Sequence, residues 1–169
     1  MIRGGVQEPA QFSVTLTAAA AGDYAANDIV SNSAVDGSGV AGVITGVGPA
    51  GSLAILDGIN AVCSEDSVVM QLRIHFYNYN PAAADVELDD NAVADFAKNA
   101  TGAAGYLGYA GIAAMTDRGT AMAHGQVNSL NLPLKLGSTQ NLYYVVQTVS
   151  AETNETAGMT IRFDFTFKA

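Results

Sequence analysis

TIRFDFTFK, residues 160–168, alternates apolar and polar side chains without interruption. The apolar positions are Ile161, Phe163, Phe165 and Phe167. Because successive side chains of a β-strand point to opposite faces, this pattern predicts a strand with one buried face and one solvent-facing face. It is the strongest secondary-structure signal in the chain, and we expect the rest of the fold to be built from similar strands.

The same two-residue period recurs in other segments. MQLRIHFY (70–77) places His75 on its polar, outward face, and QFSVTL (11–16) repeats the pattern near the start of the chain. LNLPLKL (130–136) contains Pro133, which cannot donate to a strand ladder and therefore predicts an edge strand. NLYYVVQTV (141–149) is partly apolar on both faces, which predicts a central strand. Weaker strand patterns are NDIVSN (27–32), GVAGVITGV (39–47), SLAILDGINAV (52–62) and GYLGYAGIAAM (105–115).

Short turn clusters separate these segments, and they leave room for one helix. That helix is predicted in DNAVADFAK (90–98), with Asp90 or Asn91 as the N-cap and with Val93 and Phe96 on one face. The pattern predicts an all-β fold, either an antiparallel β-sandwich or a jelly-roll-like barrel, with at most one short helix. We expect a single domain over residues 12–169. Residues 1–11 are predicted to be an N-terminal arm that becomes ordered on a neighbouring subunit.

Composition excludes several classes of function. The 169 residues are 49% hydrophobic and carry a net charge of −9, with only seven scattered basic residues. Nucleic acid is therefore not an expected partner. No apolar run approaches the ~18 residues of a membrane span, so we expect a soluble chain without membrane contact. Cys63 is the only cysteine, which excludes an intrachain disulfide and a cysteine zinc cage, and we expect it to be a small strand or core residue.

An acidic run follows the strand at 70–77, and it offers two interpretations. Asp85, Glu87, Asp89 and Asp90 place carboxylates at nearly alternate positions, as a calcium loop does. The EF-hand pattern nevertheless fails, because the turn glycine and the bidentate glutamate are missing. The favoured interpretation is a structural or solvated loop without a cofactor, and a site for calcium or a similar ion on these four residues is the alternative.

The two histidines do not form a recognisable catalytic pattern. His75 is predicted on the outward face of its strand, and His124 lies in the glycine-flanked stretch AMAHGQV. A hydrolase needs a base and an orienting carboxylate beside a nucleophile, and the chain has no G-x-S-x-G elbow. It also has no H-E-x-x-H zinc motif. We expect two solvated or hydrogen-bonded surface histidines, no catalytic residues and no enzyme.

Glycines recur at every third residue in TGAAGYLGYAG, residues 101–111. The lysine of a phosphate-binding loop and the G-x-G of a dinucleotide fingerprint are both missing. The favoured interpretation is a loop that enters a strand, with Tyr106 and Tyr109 exposed. Exposed tyrosines suit a protein interface, and both residues are predicted interface residues.

The order of several segments resembles a family of small β-rich virion proteins of tailed bacteriophages. The similarity covers most of residues 20–167, and its clearest pieces are YAANDIV (24–30), FYNYNP (76–81), DDNA (89–92) and LYYVVQT (142–148). The resemblance implies a non-enzymatic structural role, as a capsid decoration or head-associated protein, and it carries over no functional residues. It implies a virion location after assembly in the host cytoplasm.

The implied partners are the major capsid protein or other virion proteins, together with further copies of the chain. A homo-oligomer, with a trimer as our hypothesis, suits the repeated symmetric sites of a shell. The alternative is a tail or fibre β-sandwich module on the virion surface that binds host glycans, with calcium held by the acidic run.

Overall fold

A computed structural model describes residues 9–19, 23–65, 68–119, 122–153 and 158–168. These ranges contain eleven strands and one short helix. In chain order they are β1 (Ala10–Thr17), β2 (Ile29–Val30), β3 (Gly42–Ile44), β4 (Leu53–Cys63), β5 (Leu72–Tyr77), α1 (Ala100–Gly105), β6 (Tyr106–Ile112), β7 (Thr116–Asp117), β8 (Ala123–Val127), β9 (Leu132–Lys135), β10 (Leu142–Thr148) and β11 (Thr160–Lys168).

The strands form two antiparallel sheets that pack face to face. The larger sheet has the order β1-β11-β4-β8-β7, and β9 pairs with the first half of β4. The smaller sheet has the order β2-β10-β5-β6, and β3 also pairs with β10. The predicted all-β sandwich is thereby confirmed, and the sheets do not close into a barrel.

The strand β11 lies at the centre of the core, as its alternating sequence predicts. It pairs with β1 on one side and with β4 on the other. Phe163 and Phe165 are fully buried and face the smaller sheet, where both contact Tyr144 of β10 at ring-centroid distances of 6.0 and 5.6 Å. Phe165 also meets Phe76 of β5 edge to face at 6.1 Å. These contacts between aromatic rings join the two layers.

The smaller sheet is covered on both of its faces. Its inner face packs on the larger sheet through residues such as Ile74 and Val146. On its outer face, Tyr77 and Val145 join a second apolar cluster with Val86, which comes from the connection between β5 and β6. That connection therefore adds a third layer, which we call the covering layer. Its contact with the outer face of the smaller sheet explains why β10 is apolar on both faces.

The predicted helix over residues 90–98 is wrong. The backbone of this segment bonds to other parts of the chain: Ile29 N–H donates to Ala92 C=O at 2.8 Å, and Ala94 N–H donates to Asn27 C=O at 2.9 Å. Partners in a neighbouring segment replace the i to i−4 bonds of a helix. The short helix instead spans Ala100–Gly105.

The helix α1 begins where a capping side chain is available. Asn99 is its N-cap, and its side-chain oxygen accepts a hydrogen bond from Gly102 N–H at 2.9 Å. An asparagine at this position satisfies a backbone donor that the first helical turn leaves unpaired. In the described part of the chain, no helix has the length and apolar character needed to cross a membrane.

The predictions for strand position agree with the sheet order. Pro133 lies in β9, which pairs with β4 alone among the described strands and is an edge strand. The strand β10 lies inside the smaller sheet, as predicted. Of the predicted N-terminal arm, residues 1–8 lie outside the described residues, whereas Ala10 and Gln11 pair with Phe167 and Thr166.

We expect Phe165→Ala to lower the free energy of unfolding by about 3–5 kcal/mol, because it removes a fully buried ring between the sheets and leaves a cavity. Chemical denaturation monitored by circular dichroism measures this loss. Thr166→Ala, on the opposite face of the same strand, is the control and should change the free energy by less than about 0.5 kcal/mol. Equal effects of the two substitutions would contradict the assignment of faces.

Candidate functional site

Asp85 and Glu87, the first two residues of the acidic run, bind other residues of the connection between β5 and β6. Asp85 accepts a hydrogen bond from the Asn99 side-chain amide at 2.9 Å, and Glu87 forms an ion pair with Lys98 at 2.8 Å. The Asn99 amide, followed by the Ala82 N–H, lowers the pKa of Asp85 below its ordinary value. Asp85 is therefore ionised near neutral pH and acts as an acceptor within its own loop.

Asp89 anchors a different loop. Its carboxylate accepts hydrogen bonds from Gly37 N–H at 2.6 Å and from Gly39 N–H at 2.9 Å. Burial alone would raise the pKa of Asp89, but these backbone donors outweigh it and lower the pKa. The backbone of Gly39 lies so close to the backbone of Leu88 that a Cβ at position 39 would overlap the Leu88 carbonyl oxygen. Glycine is required for this approach.

Asp90 is buried and holds a third segment. One carboxylate oxygen accepts from Ser31 N–H at 2.6 Å and from the Tyr24 hydroxyl at 2.8 Å. Tyr24 is itself only 1% exposed. This carboxylate therefore ties the segment before β2 and the residue after β2 to the covering layer.

The four carboxylates that the sequence suggested as calcium ligands are used separately, as anchors for loops. Each faces its own donors, as described for Asp85, Glu87, Asp89 and Asp90. Among the residues that the structure describes, no group of three or more His, Cys, Asp or Glu side chains is placed to hold a metal ion. The run is also not a purely solvated loop, because Asp89 and Asp90 are buried.

His75 faces outward from β5, but the prediction that it lies on the surface is wrong. It is only 4% exposed, because Phe96 of the covering layer stacks on its ring at 3.5 Å between centroids and an interplanar angle of 14°. Its Nε2 lies 3.0 Å from Gln147 Oε1, and its Nδ1 lies 3.0 Å from the Tyr106 hydroxyl. Because Gln147 Oε1 can only accept, Nε2 carries the proton and Nδ1 accepts from Tyr106.

Burial lowers the pKa of His75 to about 4, against the opposing effect of the Gln147 hydrogen bond, and the nearby Arg73 charge lowers it further. The ring is therefore neutral at physiological pH. A neutral imidazole that bonds through both nitrogens and is covered by Phe96 is a fixed structural element of this face.

An aromatic patch continues from this histidine to the surface. We use the name aromatic patch for Arg73, His75, Phe96, Tyr106 and Tyr109. Tyr109 pairs with His75 across β5 and β6, is 52% exposed, and lies under the Arg73 guanidinium, whose central carbon is 5.3 Å from the ring centroid. Tyr106 was expected to be equally exposed, but it is half-buried because it bonds to His75.

A feature of the sequence other than the alternation of its strands indicated that the outer face of the smaller sheet is covered. The connection from β5 to β6 runs over residues 78–105, far longer than the usual hairpin loop. It also carries Val86, Leu88 and Phe96, which need an apolar surface to pack on. A long connection rich in apolar residues, beside a strand with apolar side chains on both faces, predicts that the connection folds back over the sheet.

His124 belongs to the outer face of the larger sheet. It is half-buried, and its Nε2 lies 2.5 Å from Asn60 Oδ1. Asn60 donates to Asp164, which also accepts from the Ser13 hydroxyl at 2.6 Å. An open polar groove of about 480 Å³ lies along this face and is lined by Gln11, Ser13, Gly58, Ile59, Asn60, Gln126, Asn128, Arg162, Asp164 and Thr166.

This polar row does not assemble the geometry of a hydrolase. Ser13 bonds to Asp164 rather than to a histidine, and Asn60 separates Asp164 from His124. A base that does not reach the hydroxyl cannot accept its proton. Cys63, at the end of β4, is fully buried, and burial raises the pKa of its thiol to about 11. The expectation of a core cysteine is confirmed.

No protein-family model and no curated protein sequence matches the chain significantly.

The pKa of His75 generates a test of this arrangement. The unfolded chain binds a proton at His75 near pH 6.5, and the folded chain does so only near pH 4. The contribution of His75 to stability is therefore present above pH 6.5 and declines as the pH falls from 6.5 toward 4. As the pH falls from 7 to 5, we expect protonation of His75 in the unfolded chain to lower the free energy of unfolding by about 2 kcal/mol.

Urea denaturation at a series of pH values measures this slope. His75→Gln keeps a polar side chain but does not titrate, so its free energy of unfolding should fall less steeply over the same interval. The two proteins are compared after normalising each curve to its value at pH 8. Parallel curves would contradict the assignment of the pH dependence to His75.

Proposed function

We propose that the protein is a non-enzymatic structural component of a bacteriophage virion, a capsid decoration or head-associated protein that binds and stabilises the shell through self-association. The order of its segments resembles that of small β-rich virion proteins, and its two-sheet architecture suits a compact building block. The net charge of −9 suits the outer surface of a particle, since packaged DNA would repel an acidic protein inside it.

The observation that carries this proposal is the use of the polar side chains. The acidic run holds three segments of chain in place, and His75 is neutral and covered. Groups that could have formed a reaction centre are committed to fixing the loops. Buried polar groups that are fully hydrogen-bonded make the fold rigid, and a rigid fold presents a single well-defined surface. Repeated attachment to a shell requires such a surface.

The aromatic patch is the surface that we propose contacts another virion protein. Tyr109 offers half of its ring to solvent while Arg73 and His75 hold it in place. A tyrosine that is already fixed loses little side-chain entropy on binding. Tyrosine and arginine are also enriched at the centres of interfaces. The major capsid protein is the proposed partner.

We expect Tyr109→Ser to weaken attachment to particles by about 10-fold or more, because it removes a large exposed anchor. Particles that lack the protein are mixed with increasing amounts of each variant and sedimented, and the bound copies are quantified. Leu53→Ser is the matched control, because it removes an exposed apolar side chain from β4 of the larger sheet, outside the aromatic patch. Loss of binding by both variants, or by neither, would count against the patch, and failure of the wild-type protein to bind would overturn the proposed function.

The polar groove on the larger sheet favours a second candidate function, a virion-surface module that binds host glycans. Its lining is rich in amide, hydroxyl and charged side chains, such as Asn60, Gln126 and Asp164. Such groups can hydrogen-bond to sugar hydroxyls. None of the described residues that line this groove is aromatic, so they provide no stacking surface for a sugar ring.

Thermal melts discriminate the two functions, because a ligand that binds only the native state raises the melting temperature with its concentration. For the structural function we expect no change with calcium or with soluble oligosaccharides, since each carboxylate of the acidic run already has its own donors. Magnesium chloride at equal ionic strength is the control for calcium. A rise specific to calcium or to one sugar would support the glycan-binding function instead.

A further inference from the structure

The strand β1 forms an unprotected edge of the larger sheet. Among the strands that the structure describes, it pairs only with β11, in an unbroken register from Ala10 opposite Phe167 to Thr17 opposite Thr160. Its sequence, AQFSVTLT, contains no charged residue and no proline. Edge strands of natural proteins usually carry lysine, proline, a bulge or a very short length, which prevent pairing with another chain. β1 has none of these features.

The other edges among the described strands are protected. The strand β9 contains Pro133 and Lys135, and β6 has Gly108 at φ 119° beside a shift in its register with β5. The strands β2 and β7 have two residues each, and β3 has three. β1 is therefore the exception in a fold that otherwise avoids pairing at its edges.

The backbone geometry shows which residues of β1 face away from β11. Ala18 N–H donates to Met159 C=O at 2.8 Å, on the β11 side, whereas Ala19 N–H donates to Ser31 C=O at 3.0 Å, on the other side. Backbone groups alternate in this way along an antiparallel strand. The residues that direct N–H and C=O outward are therefore Gln11, Ser13, Thr15 and Thr17, and these groups have no backbone partner among the described residues.

An open groove lies beside this edge. It has a volume of about 470 Å³ and separates the second half of β1 from β3. Apolar side chains line both of its sides: Val14 and Leu16 of β1 are half-buried, and Val40 and Val43 are 57% and 39% exposed. Apolar surface next to unpaired backbone is the combination that binds an added β-strand.

We propose that β1 pairs antiparallel with β1 of a second copy, so that the two larger sheets become one continuous sheet. A register that places Val14 opposite Val14 of the second copy satisfies all outward backbone groups. It pairs Gln11 with Thr17 of the second copy and Ser13 with Thr15. On the inner face it places Phe12 of the second copy beside Leu16, next to the groove.

The second copy is the occupant because the strand is complementary to itself. Cross-strand pairs of Thr with Ser are favourable on the outer face, and the inner face meets its own apolar residues. The chain carries a net charge of −9, yet its contact strand is uncharged, so pairing buries no charge and opposes no like charges directly. Screening by salt should strengthen the association, because the remaining repulsion is between distant charges.

This inference deepens the self-association in the proposed function, and it replaces the trimer with a dimer. Pairing of one strand with itself about a two-fold axis is isologous and closes at two copies. A dimer with a continuous sheet would present two aromatic patches to a particle.

Sedimentation equilibrium of the full chain over a range of concentrations, at low and at moderate salt, tests the proposal. We expect a reversible dimer whose dissociation constant falls with salt. Thr15→Pro removes an outward N–H and no bond to β11, so it should raise the dissociation constant by about 100-fold, since two bonds are lost in each dimer. Thr15→Val, which keeps the N–H and the β-branched shape, is the matched control and should still form the dimer.

Amide hydrogen exchange of the wild-type protein gives a readout that does not depend on a variant's folding. The amides of Gln11, Ser13, Thr15 and Thr17 should become protected as the protein concentration rises, and those of β9 should not. A monomer at all concentrations, a trimer, an undisturbed Thr15→Pro dimer or unchanged exchange at these four amides would each overturn the proposal. Dimerisation without attachment to particles would overturn the proposed function and leave this inference standing.

Discussion

Burial of the apolar face of β11 against β10 and β5 holds the two sheets of the sandwich together. Ile161, Phe163, Phe165 and Phe167 are all buried, and each contributes about 1.5–3 kcal/mol of transfer free energy. The rings of Phe163 and Phe165 reach Tyr144 across the interface. Since β11 also pairs with both β1 and β4, this one strand links the larger sheet laterally and joins it to the smaller sheet. The surfaces proposed for binding are fixed relative to each other through it.

A third layer over the smaller sheet is held by side chains that would otherwise suggest chemistry. Asp89 and Asp90 bind backbone donors in the loops around β2, and Phe96 stacks on His75. Buried carboxylates need such donors, because an unpaired charge away from water is very costly. Burial of His75 beneath Phe96 lowers the pKa of its imidazole. Polar residues here serve the architecture, and the exposed ring of Tyr109 is where that rigid layer meets solvent.

Two surfaces with different physical characters remain available for association. The aromatic patch presents a fixed ring and a guanidinium, which suits a specific contact with a different protein. The edge of β1 presents backbone groups and apolar side chains, which suits a strand of matching length. They belong to different sheets, so a β1 dimer leaves both aromatic patches free in our proposal. Self-association and attachment to a shell can then occur together.

The fold class and the main strands follow from the pattern of residues along the chain. A period of two is a local property of any strand with one buried face, so β11, β5, β1 and β10 could be predicted. The edge position of Pro133 could be predicted because proline has no N–H to donate. The burial of Cys63 could be predicted from the apolar residues before it. The sequence pattern did not determine what covers the outer face of the smaller sheet. The same alternation describes a strand facing water and a strand facing a folded-back loop, and so His75 was predicted to be exposed. The helix at 90–98 failed because its backbone found partners near β2, which are distant in sequence. The directions of the four carboxylates of the acidic run were likewise decided by tertiary structure, because spacing along the chain does not say which donors the fold brings to each oxygen.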